Sequence, residues 1–171
     1  MREFAVTASL DCWGPRQEYA RFPLDLKIWE ENFEFLLKHD WVKIVIGSTI
    51  TPLTIKTFPD LVEKINHWNQ QRPVSHYFNS VNSPSHMMIN IVGDIFDEDF
   101  QRALSLMPED TREQKNIKNY LAGIAVESRS KNINVVEALK LKIFLDELDR
   151  RRKTNWRTTF PELVKSLDSL G

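Results

Sequence analysis

The sequence predicts an α/β fold in which three parallel strands alternate with helices and an α-helical tail completes the chain. Three short stretches, residues 4–10, 41–46 and 74–81, are rich in the β-branched and aromatic residues that strands favour. Apolar stripes with helical spacing separate them, and only helical patterns follow residue 97. Strands that alternate with helices pair in parallel through right-handed crossovers, so the order βαβαβ predicts one parallel sheet.

The first strand and the first helix have clear local patterns. Apolar side chains occupy every second position of residues 4–10, which is the period of a strand. The next segment, about residues 11–25, contains Gly-Pro and predicts a loop. An apolar stripe then predicts a helix over about residues 24–38, with Asp25 near its beginning and Lys38 at its end, charges that suit the helix dipole.

Turn residues and prolines bound the remaining elements. The sequence GSTITPLT is expected to end the second strand after residue 46, and Thr57 followed by Pro59 predicts the beginning of the next helix. The third strand is stopped by NSPSH, and residues 87–96 predict irregular structure or a short strand. Further helices are predicted over residues 97–106, 113–128, 135–153 and 160–167.

Composition places the chain among globular proteins of a reducing compartment. Its 171 residues allow one domain with a sizeable core, and no apolar run reaches the length of about 18 residues that a membrane span needs. Basic and acidic residues number 23 and 24, so neither nucleic acid nor a membrane surface is an expected partner. The single cysteine and the absence of a signal-peptide pattern predict a cytoplasmic location.

Polar residues gather where each predicted strand ends. Parallel strands direct their carboxyl ends to one edge of a sheet, and binding sites of such sheets lie at that edge. We therefore expect a candidate site there, although strand ends that simply meet solvent give the same pattern. The residues concerned are Ser9, Asp11, Ser48, Thr49, Thr51, Asn79, Ser80 and Asn82.

Three segments carry a resemblance to a known family. The runs SLDCWGPRQEYARFPLDLKIWEENFEFLL, STITPLTIKTFPDLVEKINHW and FLDELDRRRKTNWRTTFPEL closely resemble radical S-adenosylmethionine enzymes of the twitch or SPASM type. The resemblance implies that residues 1–108 are half of a partial (β/α) barrel, with Ser9 at the end of the fourth of six strands. It implies that residues 109–171 form a helical C-terminal extension.

The resemblance also implies which cofactors the complete family enzyme uses. S-adenosylmethionine binds there to a [4Fe–4S] cluster that three cysteines of one loop ligate, with the sequence CxxxCxxC. The present sequence has one cysteine, on a different strand, so neither cofactor is expected to bind stably to this chain alone. We expect a companion chain that carries the N-terminal half, self-association through the exposed edge of the first strand, or a truncated gene model.

Three residues are the predicted cofactor-binding positions by this resemblance. Ser9 would bond the carboxylate or the ribose of S-adenosylmethionine, and Arg21 would bind the carboxylate with its guanidinium fork. Asp11 could meet the substrate, although an aspartate that caps the loop is the favoured interpretation. Ser9 as a strand-end hydroxyl and Arg21 as a solvated loop residue remain the alternatives. No catalytic residue is assigned, and the substrate is not readable from the sequence.

The other chemically suggestive residues favour structural interpretations. Cys12 is expected in a partly exposed, aromatic setting, where a passive thiol is favoured over a reactive one. The four histidines do not form a metal-ligand motif, and alternation places His76 and Asn79 on opposite faces of their strand.

The alternative to an enzyme fragment is a non-enzymatic module, derived from a half-barrel, that binds a peptide or another protein. A self-contained phosphate binder is disfavoured, because the sequence has only 5 glycines and no glycine-rich loop.

Overall fold

The computed structural model describes residues 4–129 and 133–168 and confirms an α/β fold with a three-stranded parallel sheet. The strands are β1 (Phe4–Ser9), β2 (Val42–Ile50) and β3 (Val74–Ser80). They lie in the order β1-β2-β3, and both pairs are parallel. Because β2 is central, β1 and β3 are the two edges of the sheet.

The segment between β1 and β2 contains two helices, so the loop predicted over residues 11–25 is wrong in part. The first helix, α1, spans Pro15–Ala20, and the second, α2, spans Leu26–Leu37. Gly14 adopts φ 77°, a conformation that L side chains rarely adopt, and Pro15 follows at the first helical position. The second helix begins as predicted, because the Asp25 side chain accepts a hydrogen bond from the Ile28 N–H.

The central strand is longer than predicted. Residues 47–50 were expected to break it, yet they continue the ladder to Ile50. Pairing with β3 along this whole segment, and with β1 at Gly47, outweighs the weak strand propensity of glycine and serine. A short 3-10 turn then leads into α3 (Phe58–Gln71), for which Thr57 is the N-cap residue, although its side chain makes no capping hydrogen bond.

Helices make up most of the C-terminal part. The helix predicted over residues 97–106 is confirmed at both ends, and the other three predicted helices agree within a residue. Residues 85–92 form two 3-10 turns instead of a strand. The helices are α4 (Asp97–Leu106), α5 (Arg112–Ser128), α6 (Val135–Arg152), α7 (Trp156–Thr159) and α8 (Pro161–Leu167). Among the residues described, no helix combines the length and the apolar character needed to cross a bilayer.

Two apolar cores hold the structure together. In the first, α2 and α3 cover one face of the sheet, and the rings of Phe33 and Trp68 lie 4.5 Å apart between them. The second joins the ends of β2 and β3 to the C-terminal helices, so Phe78 belongs to the same cluster as Leu121 and Leu141. This packing is continuous across residues 108 and 109, where the sequence predicts a boundary, and the division itself remains a prediction.

One arginine fastens the end of α3 to the segment that precedes β2. The Arg72 guanidinium donates to the carbonyl oxygens of His39, Asp40 and Val42, and the bond to Asp40 measures 3.0 Å. We expect Arg72→Ala to lower the free energy of unfolding by about 2 kcal/mol, because four carbonyls, including that of Leu36, lose a charged donor. Urea denaturation measures this loss. The matched control is Gln71→Ala at an exposed neighbour, and equal effects of the two substitutions would contradict the prediction.

Candidate functional site

The second face of the sheet is open among the described residues. Both connecting helices pack on the face that carries Val42, Ile44 and Ile46, whereas the alternate residues point away from them. This second surface, called the open face below, carries mostly small or uncharged polar side chains, with Lys43 as its charged member. Its residues are Ala5, Thr7, Ser9, Lys43, Val45, Gly47, Thr49, Ser75, Tyr77 and Asn79.

An aromatic ring lies across the middle of the open face. Gly47 and Tyr77 are register partners on β2 and β3, and a methyl group added at Gly47 would lie 2.7 Å from the Tyr77 hydroxyl oxygen. A glycine at this position therefore lets the ring rest on the backbone of β2. Tyr77 nevertheless remains 48% exposed, so its outer face is available to a ligand or partner.

Asp11 and Arg21 form a closed ion pair at the C-terminal edge of the sheet. Arg21 Nε lies 2.6 Å from Asp11 Oδ2, and Nη2 lies 3.0 Å from Oδ1, the two-point geometry of a strong pair. The Thr49 N–H donates to the same carboxylate at 2.8 Å. The bond to Asp11 raises the pKa of Arg21 above its ordinary value. The Asp11 side chain is only 8% exposed, so this pair links the turn after β1 to the end of β2.

The structure places Ser9 apart from that pair. Its side chain is exposed on the open face, in register with Gly47 of β2. None of the described residues forms a hydrogen bond with its hydroxyl group. Of the three predicted cofactor-binding residues, Asp11 and Arg21 are therefore brought together, while Ser9 alone presents an unbonded polar group.

A buried glutamine organises the turn after β1, and no motif in the sequence indicates this role, because α1 itself was not predicted. The Gln17 side-chain oxygen accepts hydrogen bonds from the N–H groups of Asp11 and Cys12, at 2.9 and 3.0 Å. Gln17 is fully buried. These two bonds replace the backbone partners that a chain loses when it leaves a sheet.

Cys12 is fully buried, so the expected partly exposed setting is wrong. The turn tucks the thiol beneath α1, where its sulfur lies 3.7 Å from the Gln17 side-chain oxygen. Burial raises the pKa of the Cys12 thiol to about 12. The enclosed thiol is therefore protonated at neutral pH, which makes it a poor nucleophile.

His76 and Ser48 form a second polar pair, on the face that the helices cover. The Ser48 hydroxyl donates to the Leu10 carbonyl at 2.6 Å, and its oxygen lies 2.8 Å from His76 Nε2. Burial lowers the pKa of His76 to about 4, so the ring is neutral at physiological pH. Asn79 is exposed on the open face, which confirms that it and His76 point to opposite sides of β3.

The residues present do not fit the cofactors that the resemblance implies. A [4Fe–4S] cluster requires several thiolates, and the one cysteine of this chain is buried and protonated. Arg21 directs the Nε and Nη2 edge of its guanidinium to Asp11, so this edge is not available to the carboxylate of S-adenosylmethionine. Within residues 4–129 and 133–168, no group of three or more histidine, cysteine, aspartate or glutamate residues could hold a metal ion.

Comparison with known proteins found no matching family model, no matching curated protein and no matching solved structure. The function is therefore argued from the geometry of the open face and of the strand ends.

The Asp11–Arg21 pair should contribute more than an exposed ion pair. We expect a double-mutant cycle with Asp11→Asn and Arg21→Gln to give a coupling of about 1.5 kcal/mol in the free energy of unfolding, since one partner is buried and the contact has two points. Chemical denaturation of the four proteins measures it. The control cycle uses Glu147 and Arg150, a two-point pair with side-chain exposures of 38% and 70%, for which we expect a much smaller coupling because solvent screens it. Equal couplings would contradict a structural role for the buried pair.

The neutral His76 should make the protein sensitive to acid. The pKa of His76 falls from 6.5 to about 4 on folding, so the unfolded state binds its proton first as the pH decreases. Stability is then complete above about pH 6.5 and declines towards pH 4. We expect His76→Gln to remove about 2.5 kcal/mol of the stability change between pH 7.5 and pH 4.5. Urea midpoints measured across this range test the prediction, and His67→Gln, at an exposed position, should leave the profile unchanged.

Proposed function

We propose that this chain is the C-terminal half of a partial barrel of the radical S-adenosylmethionine type and closes against a companion polypeptide. The observation that carries the proposal is the open face. All-parallel sheets in proteins are normally covered on both sides, whereas this sheet has helices on one side of its described residues. A second body is needed to cover the other side.

The placement of helices and polar groups favours a barrel over a flat layered sheet. In (β/α) barrels the helices lie outside, the opposite face of the strands points inward, and functional residues lie at the C-terminal ends of the strands. The corresponding inward positions here are Ser9, Thr49 and Asn79, near the C-terminal ends of the three strands. The outer edge of β1, which has no ladder partner among the described residues, is where the preceding strand of a barrel would pair.

The companion would supply the cluster, since this chain does not fit it. When bound to that cluster, S-adenosylmethionine supplies a radical that abstracts hydrogen from a substrate. The present chain would contribute uncharged hydroxyl and amide groups, from Ser9, Thr49 and Asn79, to the wall around the substrate. Asp11 and Arg21 act through Thr49 as positioning residues, because their pair is closed and holds the end of β2.

A non-enzymatic binding module is the second candidate. The observation that favours it is the same ion pair, in which Asp11 occupies the Nε and Nη2 edge of the guanidinium expected to bind the cofactor. In this case the open face and the free edge of β1 bind an extended peptide, whose backbone supplies the missing ladder.

Co-expression with the polypeptide encoded immediately upstream tests both candidates. We expect that polypeptide to carry a CxxxCxxC segment and to copurify with this chain. With dithionite as the electron donor under anaerobic conditions, it should cleave S-adenosylmethionine only in the complex. Thr7→Arg, on the open face, should abolish copurification, whereas Ser105→Arg, at an exposed position of α4, should not.

Each other outcome has a definite meaning. A partner that binds through Thr7 but has no cysteine segment and no cleavage activity would select the binding module. Association that Thr7→Arg leaves intact would contradict both candidates, because both use the open face.

A further inference from the structure

A separate cleft lies on the other side of the molecule from the open face. Its volume is about 570 Å³, and α3, the beginning of β3, and the beginning of α5 form its walls. The floor is apolar and includes Val62, Ile65 and Met107, each of which is less than 9% exposed. Seven of the thirteen lining residues are polar, so the cleft offers a ligand both apolar surface and hydrogen-bonding groups.

Ser75 and His76 of β3 both line this cleft, and His76 belongs to the face of the sheet that the helices cover. The Ser48 hydroxyl has one proton, and at 2.6 Å it donates that proton to the Leu10 carbonyl. The contact of 2.8 Å between Ser48 Oγ and His76 Nε2 must then be a bond that the histidine donates. This assigns the ring proton to Nε2, so Nδ1 carries a lone pair and can only accept.

Nδ1 of His76 accepts no hydrogen bond from the described residues. It is not one of the fully buried polar atoms that lack a partner, so solvent or a ligand can reach it. His76 lines the cleft and its Nε2 is bonded to Ser48, so Nδ1 is the ring nitrogen that is left to accept a hydrogen bond from a ligand there. An acceptor in this setting favours a ligand that brings its own donor, because a ligand without one would leave the lone pair desolvated and unpaired.

We propose that the cleft binds a small uncharged ligand with an aromatic or other apolar body and one hydrogen-bond donor, directed to His76 Nδ1. Phenols and indoles have this chemistry. The carboxylate of Glu113 lies at the exposed rim of the cleft and disfavours anions. The site is distinct from the open face, because α3 and α5 form its walls, and Ser75 of the edge strand β3 is the residue that borders both surfaces.

Binding of phenol, compared with anisole, tests the proposal on the whole chain. Anisole keeps the ring and the oxygen but has no donor. Amide chemical shifts measured by NMR during titration give the position and the affinity of each probe. We expect phenol to shift residues of α3, β3 and α5 and to bind about tenfold more tightly than anisole, the factor for one hydrogen bond.

Two variants, with one control, test the His76 acceptor and the volume of the cleft separately. His76→Phe keeps a ring but removes the acceptor, so it should bind phenol and anisole equally. His67→Phe changes an exposed histidine of α3 outside the cleft and should preserve the tenfold preference. Because His76→Phe can disturb the fold through Ser48, Ile117→Trp provides a second test. Ile117 lies on the wall formed by α5, and the larger side chain should fill the cleft and abolish binding of both probes.

Several results would overturn the proposal. These are equal affinities of the wild-type protein for phenol and anisole, shifts that map outside the cleft, no shifts up to the solubility limit of phenol, or binding that survives Ile117→Trp. A preserved phenol preference in folded His76→Phe protein would overturn the assignment of Nδ1 as the acceptor.

Discussion

The carboxylate of Asp11 is the constraint on which the C-terminal edge of the sheet depends. It is nearly buried, and a buried charge is tolerated only when hydrogen-bond donors surround it. Here the donors come from two directions, the backbone of β2 at Thr49 and the guanidinium of Arg21 after α1. The arrangement therefore fixes where β1 ends, how the chain turns into α1, and where the end of β2 lies. Gln17 completes this turn by bonding the N–H groups of Asp11 and Cys12.

The asymmetry of the sheet determines how the rest of the molecule is built. Apolar residues concentrate on one face of β2 and β3, so α2 and α3 pack there, and the C-terminal helices extend the same layer around the strand ends. The open face receives small and polar side chains, and Tyr77 resting on Gly47 gives the backbone of β2 partial cover. One face of the sheet is therefore covered by the chain's own helices, whereas the open face is suited to contact with another polypeptide.

Elements with strong local signals could be predicted from the sequence, and those decided by distant contacts could not. The helix α4 is predicted to the residue, because charged residues begin it and Pro108 follows its end. The extension of β2 through Gly47 could not be predicted, since pairing with β1 and β3 overrides poor strand propensity. Helix α1 was missed because its stability comes from Gly14 and the buried Gln17 rather than from an apolar stripe.

The candidate site shows the same division. The predicted strand bounds place Ser9 and Asn79 near the ends of their strands. Alternation along β3 places Asn79 and His76 on opposite faces. The pairing of Asp11 with Arg21 depends on side-chain directions across a turn, and the bond between Ser48 and His76 depends on the register of two strands. Neither feature has a signature in residue spacing.

The burial of Cys12 has a practical consequence for work on this protein. Because the sequence contains one cysteine and its protonated thiol is enclosed, we expect the folded protein to react very slowly with thiol reagents. A cysteine introduced at any exposed position would then be the sole group that a maleimide dye or a spin label modifies, without removal of the natural residue. Distances between labelled positions on the two sides of the sheet could thus be followed in solution as the molecule meets whatever covers it.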